Sequence, residues 1–485
     1  MDEALGRFIS DFGELVRLSA ENARGGAGTA IRDIVRKHLD ADPGEFPVVI
    51  EPIQQLRLVD TDVVLDEIAG RDPSARVLGV GGGQMRMHAD LRSMLDPSPV
   101  GRSFPAVAQP DYSNASVGPS RQRRTLQFGL RLFRYDGTPV AVLQRGASPN
   151  DQRFVPQLEV IATDEDAVSR LFAELRGRLE RESVFKGQVV LLSETGFGPG
   201  RAPASGGITF VDRPHVADAE VILAPGVLPR IREHALGVGR HAAALSARGQ
   251  HLKRGLLLYG PPGTGKTHTV RHLIGASEGA TVLMMSGRSL ARISEAAQMA
   301  RALTPSIVVL EDVDLVAEDR SFGPMPQPLL FEILDALDGL DGDADIAFVL
   351  TTNRVDVLER ALSQRPGRVD LAVELPLPGL DERRALLALY GGGLGFSDVA
   401  LERAAGRIEG TTASLAKELV RRAVLGAAED GSEPEDRHLD AAAAALMAES
   451  EALTRTLLGG HPAGTRPPRP TSPTPPAGRT AFPTS

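Results

Sequence analysis

The stretch Gly260-Pro261-Pro262-Gly263-Thr264-Gly265-Lys266-Thr267 decides the fold of this chain. It matches the phosphate-binding loop pattern G-x-x-x-x-G-K-[ST] at every fixed position. The short apolar run 255–259 before it predicts a buried strand, and residues 267–274 after it predict a helix. The stretch therefore predicts a nucleoside triphosphate site. The alternative is an ordinary Gly/Pro turn before a helix, and the complete set of fixed positions argues against it.

The chemistry of the loop follows from its residue types. Glycines let the backbone amides approach an anion, and the N-terminus of the following helix adds partial positive charge. Lys266 can reach the β and γ phosphates, and Thr267 offers a hydroxyl to Mg²⁺. We predict that nucleotide is bound by Gly260, Pro261, Pro262, Gly263, Thr264, Gly265, Lys266, Thr267 and His268.

Further motifs follow the loop in a fixed order. An apolar run leads into acids at 307–314, Thr351-Thr352-Asn353-Arg354 follows a second apolar run, and 361–370 contains Arg365 and Arg368 before Asp370. Together with the loop, these motifs resemble the AAA ATPase family, part of the AAA+ superfamily of P-loop NTPases, over roughly residues 220–430. The resemblance implies an ATPase that uses ATP and Mg²⁺.

The acidic pair Glu311-Asp312 lies where the family has its Walker B motif. Most of the family has Asp before Glu, whereas the order is reversed here. By position, the resemblance implies that Glu311, with Thr267, orients the metal and that Asp312 activates water. The alternative, two solvated acids after a strand, fits poorly, because ligands of such sheets bind at the carboxyl ends of the strands.

Three further residues are implied to act in hydrolysis. Asn353 resembles the sensor-1 residue, which holds the attacking water; an Asx turn is the alternative. Arg365 and Arg368 resemble arginine fingers, which act on the ATP of a neighbouring subunit; surface arginines in a Pro-Gly turn are the alternative. If the fingers are real, the protein is a homo-oligomer, and we expect a hexameric ring.

The predicted fold class is α/β: a P-loop NTPase doubly wound parallel sheet with a small helical lid, preceded by a separate N-terminal α+β region. Within that region, Asp136-Gly137 between two apolar runs predicts a hairpin turn. We predict a mainly helical region at 1–95, a small α/β or α+β domain with a leading linker at 96–205, the large ATPase subdomain at 218–378, the lid at 379–458 and a disordered Pro-rich tail at 459–485.

Composition limits the functional classes. The 485 residues carry a formal net charge of −9, so we expect neither nucleic acid nor anionic membrane as a general partner. Cysteine is absent, which excludes disulfides and thiolate metal sites. No apolar stretch approaches the ~20 residues of a membrane span, and Met1-Asp2-Glu3 lacks the basic start of a signal peptide. We expect a cytoplasmic protein.

Two functions remain open. The first is an ATPase that remodels a protein substrate or adaptor bound through the N-terminal region. The second is a nucleotide-gated assembly or adaptor with little turnover. It is favoured by the absence of any aromatic residue between Tyr259 and Phe322, where threading rings have an aromatic pore loop. The sensor-2 arginine is also missing, since Ala413-Ser414-Leu415 occupies its position. A small-molecule kinase is a distant third, because it has no use for arginine fingers.

Overall fold

The computed structural model describes residues 30–81, 89–96, 106–147, 155–193, 207–314, 343–354 and 369–457, and every structural statement below concerns these residues. Two compact units divide the chain, Met1–Leu377 and Pro378–Ser485. The predicted tail 459–485 lies outside the described residues, as do Arg365 and Arg368.

The first part of unit one is built on an antiparallel sheet, here called the N-terminal sheet. The strands are β1 (Val49–Pro52), β2 (Arg76–Val80), β3 (Val107–Ala108), β4 (Asp111–Gly118), β5 (Arg121–Tyr135), β6 (Thr138–Arg145) and β7 (Gln157–Ala162). The strand order is β1-β7-β6-β5-β2-β3, and β4 pairs with β5. The predicted hairpin between β5 and β6 is confirmed: Tyr135 pairs with Thr138, and Asp136 and Gly137 have the positive φ angles of 47° and 84° that a tight hairpin turn requires.

Helices cover both faces of this sheet. They are α1 (Ile31–Leu39), α2 (Leu58–Ala69), α3 (Leu91–Leu95) and α4 (Glu165–Arg181). Helices α2 and α4 pack on one face through Leu65, Ile68 and Leu171, and α1 and α3 pack on the other through Val35 and Met94. Our boundary at residue 95 differs from this arrangement, because β1 and β2 pair with β7 and β5 in one sheet. The region before residue 95 thus contributes strands as well as helices.

The second part of unit one is a mostly parallel sheet, here called the parallel sheet. Its strands are β8 (Val189–Leu192), β9 (Ile208–Val211), β10 (Arg254–Tyr259), β11 (Thr281–Ser286), β12 (Ser306–Glu311), β13 (Ile346–Thr352) and β14 (Leu371–Glu374), and the order is β14-β10-β13-β12-β11-β8-β9. Only β9 runs antiparallel to its neighbour among the described strands. The inner strands are buried on both faces, which explains their continuous apolar runs.

Helices connect the parallel strands and cover the two faces. They are α5 (Val227–Arg232), α6 (Val238–Arg240), α7 (Ala242–Ser246), α8 (Lys266–Ala276) and α9 (Ile293–Ala302). Helix α8 follows β10 and packs into one apolar core, whereas α9 joins β11 to β12 and packs into the core on the other face. This is a doubly wound α/β sheet, so the predicted P-loop NTPase fold class is confirmed.

Strand β8 differs from the prediction. We expected residues 189–192 in the domain at 96–205, but this strand pairs in parallel with β11, for example Leu283 with Val190. The run Val189-Val190-Leu191-Leu192 has no polar alternation, as is usual for a strand buried on both faces. The hairpin β8–β9 therefore extends the parallel sheet beyond β11.

Unit two contains four helices among its described residues: α10 (Leu380–Tyr390), α11 (Asp398–Arg407), α12 (Ala413–Glu429) and α13 (Asp436–Leu457). Side chains cap two of them, since Ser397 accepts from the Ala400 amide and Thr412 from the Leu415 amide. The core between the helices is rich in alanine, including Ala404, Ala416, Ala423 and Ala443, which lets the helices approach closely. No helix in the described ranges is both long enough and apolar enough to cross a bilayer.

Candidate nucleotide site

The phosphate-binding stretch forms the turn between β10 and α8. Gly260, Gly263 and Gly265 have φ angles of 142°, 78° and 100°, all in the region that favours glycine. A Cβ atom on Gly260 would lie 2.2 Å from the carbonyl oxygen of Leu375, just past β14. The close approach of two backbones therefore requires glycine at position 260. Helix α8 begins at Lys266, so the free amides of its first turn face the loop.

Lys266 is held inside the loop. Its side chain is 6% exposed, and Nζ donates to the carbonyl oxygens of Gly260 and Pro261, both at 2.8 Å. Burial lowers the pKa of Lys266, while the nearby carboxylates of Asp312 and Asp314 act in the opposite direction. Two carbonyls thus fix the ammonium at the mouth of the loop, where a phosphate oxygen can meet its third N–H.

Glu311 ends strand β12 beside the start of α8. The Thr267 hydroxyl is near enough to its carboxylate to lower the pKa of Glu311. Its Oε1 atom is buried and has no hydrogen-bond partner within the described part of the chain. Burial and the charge of Asp312 raise the pKa of Glu311, against the opposing effects of Thr267 and Arg271. A hydroxyl and a buried carboxylate oxygen side by side fit a hard cation such as Mg²⁺.

The described residues hold no cluster of three or more His, Cys, Asp or Glu side chains placed to bind a metal. Mg²⁺ is usually held by one or two protein ligands together with phosphates and water. Thr267 and Glu311 are the residues that fit this role.

Asp312 and Asn353 meet at the ends of the neighbouring strands β12 and β13. Asn353 Nδ2 lies 3.4 Å from Asp312 Oδ1. Asp312 has a φ angle of 50°, unusual for a residue other than glycine, and its amide donates to Thr351 Oγ1 at 3.0 Å. The Asp312 side chain is therefore directed by a specific backbone conformation, as is common where strain supports function.

Sequence reasoning gave no role to Asp314, Thr351 or Thr352. Asp314 is 6% exposed, and its Oδ1 accepts from Thr352 Oγ1 at 2.9 Å and from the Asn353 amide at 3.1 Å. The signal available in the sequence was the third acid in Glu311-Asp312-Val313-Asp314. An apolar neighbour on each side of such an acid indicates burial, and a buried carboxylate needs partners.

His268 and the arginine stretch complete the set of predicted site features. His268 is partly buried, and its Nε2 lies 2.9 Å from the carbonyl oxygen of Glu220, in the segment that precedes α5. The stretch with Arg365 and Arg368 is described only at its end, where Asp370 Oδ2 accepts from the Gly255 amide at 2.7 Å. Asp370 thereby anchors the end of this stretch to the start of β10.

The strand–loop–helix turn and the acids at the carboxyl edge of a parallel sheet define a P-loop NTPase domain. Comparison with known families narrows this class: residues 256–377 match the model of the "ATPase family associated with various cellular activities (AAA)". This match lies within the stretch 220–430, where the sequence motifs resemble the AAA ATPase family. The resemblance is confirmed for the matched residues 256–377.

Curated relatives agree over the same part of the chain. An "ATP-dependent zinc metalloprotease FtsH" from Acidimicrobium ferrooxidans is 32% identical over 236 residues, which are 46% of this chain and 35% of the relative. A "26S proteasome regulatory subunit 8 homolog" from Schizosaccharomyces pombe is 33% identical over 165 residues, 31% of this chain and 41% of the relative. A "Proteasome-activating nucleotidase" from Methanoculleus marisnigri is 36% identical over 151 residues, 28% of this chain and 36% of the relative. The chain thus spans less than half the length of these relatives.

Proposed function

We propose that this chain binds ATP with Mg²⁺ and hydrolyses it to ADP and phosphate. The observation that carries the proposal is the meeting of Lys266, Thr267, Glu311, Asp312 and Asn353 at the carboxyl edge of the parallel sheet. Phosphoryl transfer needs little covalent chemistry from the protein, so charge and positioning at this edge are what the residues supply.

Each residue has a separate role in this proposal. Lys266 neutralises the β and γ phosphates, and Thr267 and Glu311 hold the metal ion, which supplies charge neutralisation for the phosphoryl group. Asp312 accepts the proton of the attacking water, and Asn353, 3.4 Å from Asp312, orients that water. The remaining predicted nucleotide contacts of the loop, and His268 beside it, bind the substrate.

We further propose that the protein works as a homo-oligomer, with a hexameric ring as the expected form. Arg365 and Arg368 would complete the site of a neighbouring subunit, because a guanidinium can bind two phosphate oxygens at once. The names of the relatives, a proteasome regulatory subunit and a proteasome-activating nucleotidase, support work on protein partners. The N-terminal sheet and its helices are the surface that we assign to a protein substrate or adaptor. The absence of cysteine fits a cytoplasmic setting.

One observation favours the alternative of a nucleotide-gated assembly or adaptor with little turnover. Strand β11 ends at Ser286, and a short 3₁₀ turn, Gly287–Arg292, leads directly into α9 at Ile293. This connection has no aromatic side chain with which to grip an extended polypeptide. Remodelling without threading would then depend on motions transmitted to the N-terminal sheet.

A turnover assay separates the two functions. Purified chain should release phosphate from Mg·ATP, and the rate per subunit should rise with protein concentration as subunits assemble. Lys266→Ala should bind no nucleotide. Tight ATP binding with negligible turnover would favour the alternative. Failure of the wild type to bind ATP would refute both.

Mixing of two inactive variants tests the ring. Arg365→Ala should bind ATP but hydrolyse it on the order of 10³-fold more slowly, as should Arg368→Ala. Lys266→Ala keeps the arginines but lacks the loop lysine. Rings formed from Arg365→Ala and Lys266→Ala chains should regain part of the activity, because some interfaces pair an intact loop with an intact arginine. Co-assembly without any regain would refute action in trans.

A further inference from the structure

The turns that follow β12 and β13 hold each other through reciprocal hydrogen bonds. The amide of Asp312, after β12, donates to Thr351 Oγ1 of β13 at 3.0 Å. In the other direction, the amide of Asn353, after β13, donates to Asp314 Oδ1 at 3.1 Å. The Asp312 amide is thus fixed by a side chain of β13, and the Asn353 amide is fixed by a side chain from the turn after β12.

Asp314 is the centre of the second contact. The same Oδ1 atom also accepts from Thr352 Oγ1 at 2.9 Å, and Thr352 Oγ1 in turn accepts from the Arg354 amide at 3.0 Å. The three bonds form one chain that fixes the backbone on both sides of Asn353. With the residue only 6% exposed, water replaces these bonds poorly, so they hold the turn firmly.

The position of Asn353 matters because its amide group reaches Asp312 at the limit of a hydrogen bond, 3.4 Å. A small shift of the backbone at Asn353 would break this contact. Misplacement of a reacting group by about 1 Å can cost on the order of 10²-fold in rate.

We propose that Asp314 is a positioning residue for hydrolysis, which holds the backbone of Asn353 so that its side chain faces Asp312 and the γ-phosphate. The proposal rests on the proposed ATPase function. Asp314 itself does not contact the substrate in this arrangement; it acts through Asn353. Thr352 supports it by completing the chain of hydrogen bonds.

The test is a double-mutant cycle on the full chain with Asp314→Ala, Asn353→Ala and the combined variant. Asp314→Ala should lower kcat roughly 10- to 100-fold while the Kd for ADP stays within about threefold. Because both residues act through one group, the combined variant should be no slower than Asn353→Ala within about twofold. Asp314→Asn keeps an oxygen that can accept both bonds and should restore kcat to within about threefold of the wild type.

A matched control comes from the opposite end of β12. Ser306 is 1% exposed, and its hydroxyl donates to the Ala300 carbonyl at 2.8 Å, so Ser306→Ala also removes a buried hydrogen bond next to the same strand. This variant should keep kcat within about twofold, since its bond lies away from the site. If Asp314→Ala does not fold, Thr352→Val removes the two bonds of the chain that involve Thr352 Oγ1, without creating a cavity. It should lower kcat roughly 3- to 10-fold, again without a further effect in the Asn353→Ala background.

Several results would overturn the proposal. If the fold-losses in kcat of the two single variants multiply in the combined variant, Asp314 acts independently of Asn353. An Asp314→Asn enzyme as slow as Asp314→Ala would show that charge, rather than the two accepted bonds, is what matters. Unchanged kcat in Asp314→Ala would remove the role altogether.

A second readout keeps the inference separate from the proposed function. If the wild type does not hydrolyse ATP, the ATPase proposal fails, and the ratio of the Kd for ADP to the Kd for ATPγS is compared instead by calorimetry. If Asp314→Ala and Asn353→Ala lower this ratio equally, and the combined variant lowers it no further, the result would still support a role of Asp314 in positioning Asn353. An unaffected ratio in Asp314→Ala would refute it.

Discussion

Arg213 joins the end of helix α8 to the start of two strands, and we expect its removal to destabilise unit one. Its guanidinium donates to the carbonyl oxygens of Ile274 at 2.6 Å, Ser277 at 3.1 Å, Ala280 at 2.7 Å and Gly187 at 3.2 Å, and to Ser277 Oγ at 3.0 Å. The last carbonyls of a helix have no partner within the helix, and a cation there also interacts favourably with the helix dipole.

The expected loss can be estimated from these contacts. A hydrogen bond from a charged group contributes about 1.5–3 kcal/mol. The five bonds share one partly buried guanidinium and are not additive, so we expect Arg213→Ala to cost on the order of 3 kcal/mol. For the compact unit Met1–Leu377, that corresponds to a fall in Tm of roughly 4 °C. Arg213→Lys should recover little, because one ammonium cannot span carbonyls on three elements.

Thermal unfolding followed by circular dichroism measures the effect, with Arg240→Ala as the control. Arg240 forms an ion pair with Glu233, but the two side chains are 60% and 66% exposed, so its loss should cost well under about 1 kcal/mol. ATP affinity measured well below the Tm should stay near that of the wild type, since Arg213 lies at the end of α8 opposite the phosphates. Equal Tm values for the two variants would refute the reasoning.

Three other predictions concern the site and the N-terminal sheet. Asp312→Asn should retain ATP binding and slow hydrolysis ~10²- to 10⁴-fold, whereas Glu311→Gln should change the Mg²⁺ dependence; the opposite outcome in a phosphate-release assay would exchange the two roles. Gly260→Ala should lower Tm and nucleotide affinity more than Gly279→Ala. Gly279 also has a positive φ, 76°, but a Cβ added there would have no described atom within 4 Å. Equal effects of the two substitutions on Tm and on affinity would contradict the backbone clash at Gly260. Burial lowers the pKa of His38 from its ordinary 6.5, so the unfolded chain binds the proton more readily and stability should fall as pH drops through 6.5. The urea midpoints measured at about pH 7.5 and about pH 5.5 should therefore differ less in His38→Gln than in the wild type. An unchanged pH dependence in His38→Gln would exclude this contribution.

Local signals predicted the backbone geometry of the loop and the kind of sheet that carries it. The glycines at 260, 263 and 265 have the φ angles that the loop pattern implied, and the Asp136-Gly137 turn forms a hairpin. Both signals depend on a few adjacent residues and on backbone geometry that only glycine or a turn residue adopts easily. The apolar runs likewise indicated a parallel sheet, because strands buried on both faces need apolar residues throughout.

The contacts that adjacent residues do not determine could not be predicted. Asp314 gains its role from Thr352 and Asn353, almost forty positions later, and the pairing of β8 with β11 joins residues about ninety positions apart. Periodicity reports which face of an element is apolar, but it does not report which element covers that face. The same limit explains why we separated residues 1–95 from 96–205, although β1 and β2 complete the sheet of the second segment.

Periodicity also could not predict that the N-terminal sheet packs against the parallel sheet. Leu56, which precedes α2, is 1% exposed and belongs to the apolar core that contains Met299 of α9. Asp60 of α2 accepts from Ser183 Oγ at 2.5 Å and from the Val184 amide at 2.8 Å, in the segment that leads into β8. A buried leucine and a buried carboxylate cannot leave these partners without a cost of several kcal/mol, so the two sheets unfold and move as parts of one compact unit. The N-terminal sheet is therefore packed within the same unit as α9 and β12, the elements that lead directly to Glu311 and Asp312.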